Sequence, residues 1–161
     1  MKLHFLIIAA LFAVPVFARA EVSPITIRVE QTTAVSHDKL NKTQEKALKV
    51  FVSNGSAAEL TNLNVKYFYF GHDVRDHESA ILERGERKAS VKARATEIVA
   101  TPAKKATMTE AHYAKKKKIE ATGEKLTGYG VQVFGDEGKL LAEYFSEPSL
   151  KAKVSGGGER K

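Results

Sequence analysis

The chain has 161 residues, 43% of them hydrophobic, and carries 26 Lys and Arg against 19 Asp and Glu, for a net charge of +7. That is one domain's worth of chain, long enough to bury a single core. It contains no cysteine, so disulfides, thiol nucleophiles and Cys-ligated zinc are excluded.

Met1-Lys2 is a short positive start, Leu3 to Phe17 is apolar except for His4, and Ala18-Arg19-Ala20 puts small residues on either side of Arg19. This is the layout of a secretory signal peptide over residues 1–20, too short for a spanning helix and interrupted by Pro15. The mature chain then starts at Glu21, is exported to the periplasm or secreted, and carries no membrane span. Without Lys2 and Arg19 the bases number 24 against 19 acids, a net charge of +5.

From here the dominant period is two. Ile25, Ile27 and Val29 alternate with Thr26, Arg28 and Glu30, the pattern of a half-buried strand. Leu48, Val50 and Val52 alternate with Ala47, Lys49 and Ser53, and this run ends at Asn54-Gly55, a turn signal. Asn41-Lys42-Thr43 and Asn54-Gly55-Ser56 also match the glycosylation pattern, which matters only in a eukaryotic secretory pathway. Next, Leu63, Val65, Tyr67 and Tyr69 share one face of a strand whose other face runs from Asn64 and Lys66 to Phe68 and Phe70. Phe68 and Phe70 are a partner surface if they are exposed. Cover by a loop or neighbouring strand is the expectation, because long exposed apolar strands invite aggregation.

The strand runs into His72, Asp73, Asp76, His77 and Glu78. A metal-dependent enzyme using His72 and His77 is one reading. Five residues apart, the histidines fit neither helical nor strand spacing, and a catalytic zinc needs three protein ligands. The expectation is a polar loop, with Gly71 as breaker and Asp73 and Asp76 capping turns. Between residues 74 and 113, short strands are expected at Ile81-Leu82, Val91–Val99 and Ala106–Tyr113, with breaks at Gly85 and Thr101-Pro102. A helix within 74–98 is the rival, since that stretch is rich in Glu, Arg, Lys and Ala. Tyr129, Val131 and Val133 alternate with Gly128, Gly130 and Gln132. Asp136-Glu137-Gly138 then turns the chain into Leu140–Phe145, a hairpin. The tail from Ser155 has nothing to bury and is expected to be disordered.

About seven short strands over residues 21–154, followed by a flexible tail at 155–161, is the pattern of an all-β, single antiparallel sandwich. The stretch "LTGYGVQVFGDEGKLLAEYF", Leu126 to Phe145, resembles the immunoglobulin and fibronectin type III class. There a Tyr near the start of the penultimate strand precedes alternating apolar residues and a hairpin into the last strand. The likeness concerns fold and implies no function.

Ten bases lie between Arg87 and Lys118, opposed only by Glu97 and Glu110. Such a region attracts an anionic polymer: a glycan, a lipid headgroup or a nucleic acid. The candidate anion-binding residues are Lys104, Lys105, Lys115, Lys116, Lys117 and Lys118. Four consecutive lysines fit a loop or protruding hairpin better than a strand, which would send them to both faces. No aromatic interleaves them, which argues against a dedicated single-strand binder. With no nucleophile elbow, zinc-protease motif or phosphate loop, the chain reads as a non-catalytic binding or structural module without a cofactor. Its partner is an anionic polymer or another exported protein.

Overall fold

The computed structural model describes residues 23–156, so the expected signal peptide over 1–20 and the tail residues 157–161 lie outside the described residues. The strands are β1 (Ile25–Asp38), β2 (Asn41–Asn54), β3 (Leu60–Asp73), β4 (Asp76–Val91), β5 (Thr96–Ala100), β6 (Lys104–Thr109), β7 (His112–Ala114), β8 (Lys117–Ile119), β9 (Thr122–Phe134) and β10 (Leu140–Phe145). One helix, α1 (Leu150–Ser155), follows.

Eight strands form one antiparallel sheet ordered β1-β2-β6-β9-β3-β4, with β5 also on β2 and β10 also on β9. The short strands β7 and β8 pair only with each other. β2 is bordered along its whole length by β1; its other edge takes β6 over Asn41–Lys46 and β5 over Lys49–Ser53. β6 reaches β9 through two residue pairs, Met108–Gly123 and Thr109–Thr122. The sheet is therefore two four-stranded halves joined at a corner.

The alternating patterns explain the core. Leu48, Val50 and Val52 from one half and Leu63, Val65, Tyr67, Tyr69, Val131 and Val133 from the other belong to one buried cluster, each 5% exposed or less. Burial at this density is the main stabilising term. The Tyr69 hydroxyl donates to the Pro102 carbonyl (2.9 Å) and bonds the Thr101 hydroxyl (2.7 Å), which in turn accepts from the Leu48 amide (3.0 Å). The break between β5 and β6 is thereby tied to both halves of the sheet. Burial pushes the Tyr69 phenol above its ordinary pKa.

Asn54 does end β2, but by its side chain: it is 2% exposed, and its amide donates to the carbonyls of Ala58 (2.7 Å), Val91 (3.1 Å) and Lys92 (3.2 Å).

Four expectations are corrected. The expected strand Val91–Val99 is interrupted, since β4 (16 residues) ends at Val91 and β5 starts at Thr96, and the rival helix within 74–98 is absent because pairing with β3 overrides helix propensity. Gly85 interrupts nothing. It lies inside β4 opposite Tyr67, and a Cβ there would overlap the Tyr67 ring. Ser155 belongs to α1 rather than to the tail.

Candidate functional site: the lysine hairpin

The structure does not gather the ten bases of 87–118 on one surface. Arg87 and Lys88 lie across from Val65 and Asn64 on β3, and the Arg94 amide bonds Ser56, at the end of the sheet where β2 finishes. Lys104 and Lys105 pair with Lys46 and Glu45 toward the start of β2, and the Glu110 amide bonds the Leu40 carbonyl (2.8 Å). The stretch of β2 from Lys46 to Asn54 separates the two groups by about 26 Å. Lys104 and Lys105 are adjacent on β6 and so point to opposite faces; only Lys115–Lys118 lie together, on one hairpin.

That set centres on the β7–β8 hairpin. His112 pairs with Ile119, Tyr113 with Lys118 and Ala114 with Lys117, so Lys115 and Lys116 are the two turn residues. Both have positive φ, 49° and 67°, as a tight two-residue hairpin turn requires. Asn and Gly usually fill such positions; a lysine there costs about 1 kcal/mol or more. The hairpin springs from beside the β1–β2 turn, where Lys39 also has positive φ.

The six predicted lysines differ in their surroundings. Lys104 is bound to Glu83 (3.3 Å), Lys105 to Glu45 (3.3 Å) and Lys118 to Glu120 (3.0 Å). Lys115, Lys116 and Lys117 are exposed and have no carboxylate at ion-pair distance among the described residues. Nearby on β2, burial and then the charge of Lys125 hold the Lys46 ammonium below its ordinary pKa.

Sequence reasoning missed one member of the site. Tyr113 precedes the lysine run, so no aromatic interleaves it in the chain; across the hairpin, however, Tyr113 stands beside Lys118 and is 76% exposed. Ile119 is 41% exposed on the opposite strand. An aromatic ring and four ammonium groups on one projecting element can give charge attraction and ring contact together. The signal was the two-residue spacing of a hairpin, which returns Lys118 to Tyr113.

The other candidates are placed as follows. Phe68 and Phe70, 6% and 0% exposed, lie under α1 against Leu150, with Phe145 of the neighbouring strand β10 beside Phe70, so helix and strand share the cover. Exposure, which a partner surface there requires, is not met. His72 sits opposite Lys125 on β9, and the side chain of His77 lies outside what is described. Asp73 accepts from the Arg75 amide (2.9 Å) and from its guanidinium (3.0 Å), and Asp76 accepts from the Glu78 amide (3.2 Å). The acids therefore serve the β3–β4 turn. Among the described residues, no group of three or more His, Asp or Glu could hold a metal ion, and no helix is long and apolar enough to cross a membrane.

No protein-family model and no curated protein matches the chain. Among solved structures it is similar to the Northeast Structural Genomics Consortium target SoR45, at a TM-score of 0.43 and 6% identity over 80% of this chain and 91% of that one. It is also similar to the putative ApaA protein from Bordetella pertussis, Northeast Structural Genomics target BeR40, at a TM-score of 0.37 and 11% identity over 77% and 94%. Likeness at this level carries no family assignment.

Proposed function

We propose that the chain is an exported, non-catalytic β-sandwich module, immunoglobulin- or fibronectin-like in plan, that binds an anionic polymer through the β7–β8 hairpin. The apolar start of the chain supports export. One core cluster drawn from both halves of the sheet supports the sandwich. The observation that carries the binding reading is the hairpin turn itself: two lysines hold a positive-φ geometry that other residues fill at lower cost, and no carboxylate neutralises them. Lysine rather than arginine favours point-charge contact with a flexible polyanion over two-pronged recognition of one phosphate.

The test is the salt dependence of binding to a sulfated polymer such as dextran sulfate, using the chain from Glu21 and a variant with Lys115–Lys118 changed to Gln. Four released counterions at about 0.7 each predict a roughly 50-fold loss of affinity for a fourfold rise in salt. The variant should lose most of that slope. A slope shared equally by both proteins returns the hairpin lysines to the solvent.

A further inference from the structure

Two cavities open side by side on the face of β3, β4 and β9 turned away from the core. One, of about 460 Å³, lies against Phe68, Gln132 and Val154; the other, of about 480 Å³, lies against Asn62, Asn64, Lys88 and Phe134. Each is of the size small-ligand sites occupy. Lys66 lines both, so they form one cleft with this residue at its middle.

Strand register builds the floor. Asn62, Asn64 and Lys66 alternate on β3; Lys88 and Glu86 stand across from Asn64 and Lys66 on β4, and Phe134 and Gln132 across from them on β9. The acids beside Lys66 are committed elsewhere. Glu86 accepts from the Asn64 amide (3.0 Å), and Glu143 accepts from Gln132 (3.3 Å) and from Lys151. The Lys66 ammonium lies over the Phe134 ring, 4.8 Å from its centroid. Neither it nor Lys88 has a carboxylate at ion-pair distance among the described residues. A half-buried ammonium with only a ring beneath it gains much from an incoming anion, since the surrounding protein screens the pair less than water does.

The rest of the cleft is rich in amides. Asn62 has a φ of 55° where β3 slips register between Leu60 and Leu63, a bulge that re-aims its side chain at the rim. A side-chain amide offers a donor and an acceptor together, which matches neighbouring hydroxyl groups. Asp136 adds an acceptor for hydroxyl donors. Cations for one acidic group, with amides and carboxylates for hydroxyls, is the chemistry of an acidic sugar.

We infer that this cleft binds one acidic sugar unit, its carboxylate or sulfate on Lys66 and Lys88 and its hydroxyls on Asn62 and the free oxygen of Gln132. The site is separate from the lysine hairpin and does not depend on it.

The test is NMR titration of the chain from Glu21 with methyl glucuronide, methyl glucoside 6-sulfate, uncharged methyl glucoside and inorganic sulfate. Saturable shifts with one or both acidic sugars at residues 62–66, 88 and 132–134, and weaker ones with the other two ligands, are expected; the first two arms separate carboxylate from sulfate. Lys66→Gln and the exposed Lys88→Gln should each weaken binding about tenfold, the loss of one charge-assisted hydrogen bond. The variant with Lys115–Lys118 changed to Gln should bind as the parent does. Equal shifts with methyl glucoside or inorganic sulfate, shifts centred elsewhere, or full affinity in Lys88→Gln would each overturn the proposal. So would the absence of any shift.

Discussion

Strand β3 separates two apolar clusters of different build. On its inner face Leu63, Val65, Tyr67 and Tyr69 join a 14-residue cluster supplied by β1, β2, β4, β5, β6 and β9 as well. On its outer face Phe68 and Phe70 are closed off by Leu150 of a six-residue helix, with Ile81, Phe145 and Val154 packed alongside. A helix that short is not stable alone, so α1 is held by its packing and by the ion pairs of Lys151 with Glu143 and of Lys153 with Glu78 (3.0 Å). The lesson is that equal burial does not mean equal consequence. The inner cluster is a condition of the fold, whereas the outer one depends on a terminal segment that can come away while the sheet stays intact.

The largest effect should come from the inner cluster. Leu48 is 1% exposed, and Leu48→Ala removes side-chain atoms of one half from the core that both halves share. A loss of about 2–5 kcal/mol is expected, seen as a single cooperative transition moved to lower denaturant by both fluorescence and circular dichroism. A loss under about 1 kcal/mol would mean that the two halves do not share a core.

A smaller and more local effect is expected outside. Leu150→Ala removes the one fully buried residue of α1, and global stability should fall by less than in Leu48→Ala, since Leu150 packs on one side only. Amide exchange at Leu150–Ser155 should quicken and an apolar dye should bind over Phe68 and Phe70, while β2 and β9 keep their protection. Loss of protection throughout the sheet would place both clusters in one cooperative unit.

How much of this was legible follows from the same contrast. The inner strands read plainly from Ile25 to Val29, Leu48 to Val52 and Leu63 to Tyr69, because alternation with polar residues records one buried face. The Asp136–Gly138 turn and the following hairpin also read directly, and Gly138 indeed has a positive φ of 75°. Strand β4 did not, since an edge strand with Arg84, Glu86 and Lys88 facing solvent carries residues a helix would also use. Helix α1 was missed because six residues are too few for a helical period to show. At the hairpin the lysines were legible as a run, but Tyr113 was not, since its place beside Lys118 depends on a turn at Lys115-Lys116 that neither residue type announces. The cleft around Lys66 was invisible for a similar reason: its members come from three strands and meet only through register.

The finest distinction between the clusters is electrostatic. The inner cluster is edged by the ion pair of Lys104 with Glu83 (3.3 Å), whereas the outer helix leans on Glu143, whose carboxyl is held below its ordinary value of 4.5 chiefly by the hydrogen bond from Lys151. A depressed carboxyl pKa stabilises the folded state above the unfolded value, and that contribution fades as pH falls through the lower folded value. Comparing melting temperatures of the parent and Glu143→Gln therefore has a defined sign. The parent should be more stable at neutral pH, by under about 1 kcal/mol because Lys151 is largely exposed. The gap should stay constant down to about pH 5 and close as Glu143 takes up its proton. Gln keeps a bond to Gln132 but offers Lys151 no charge, so a gap that persists at about pH 2 would assign the effect to packing rather than to the ion pair.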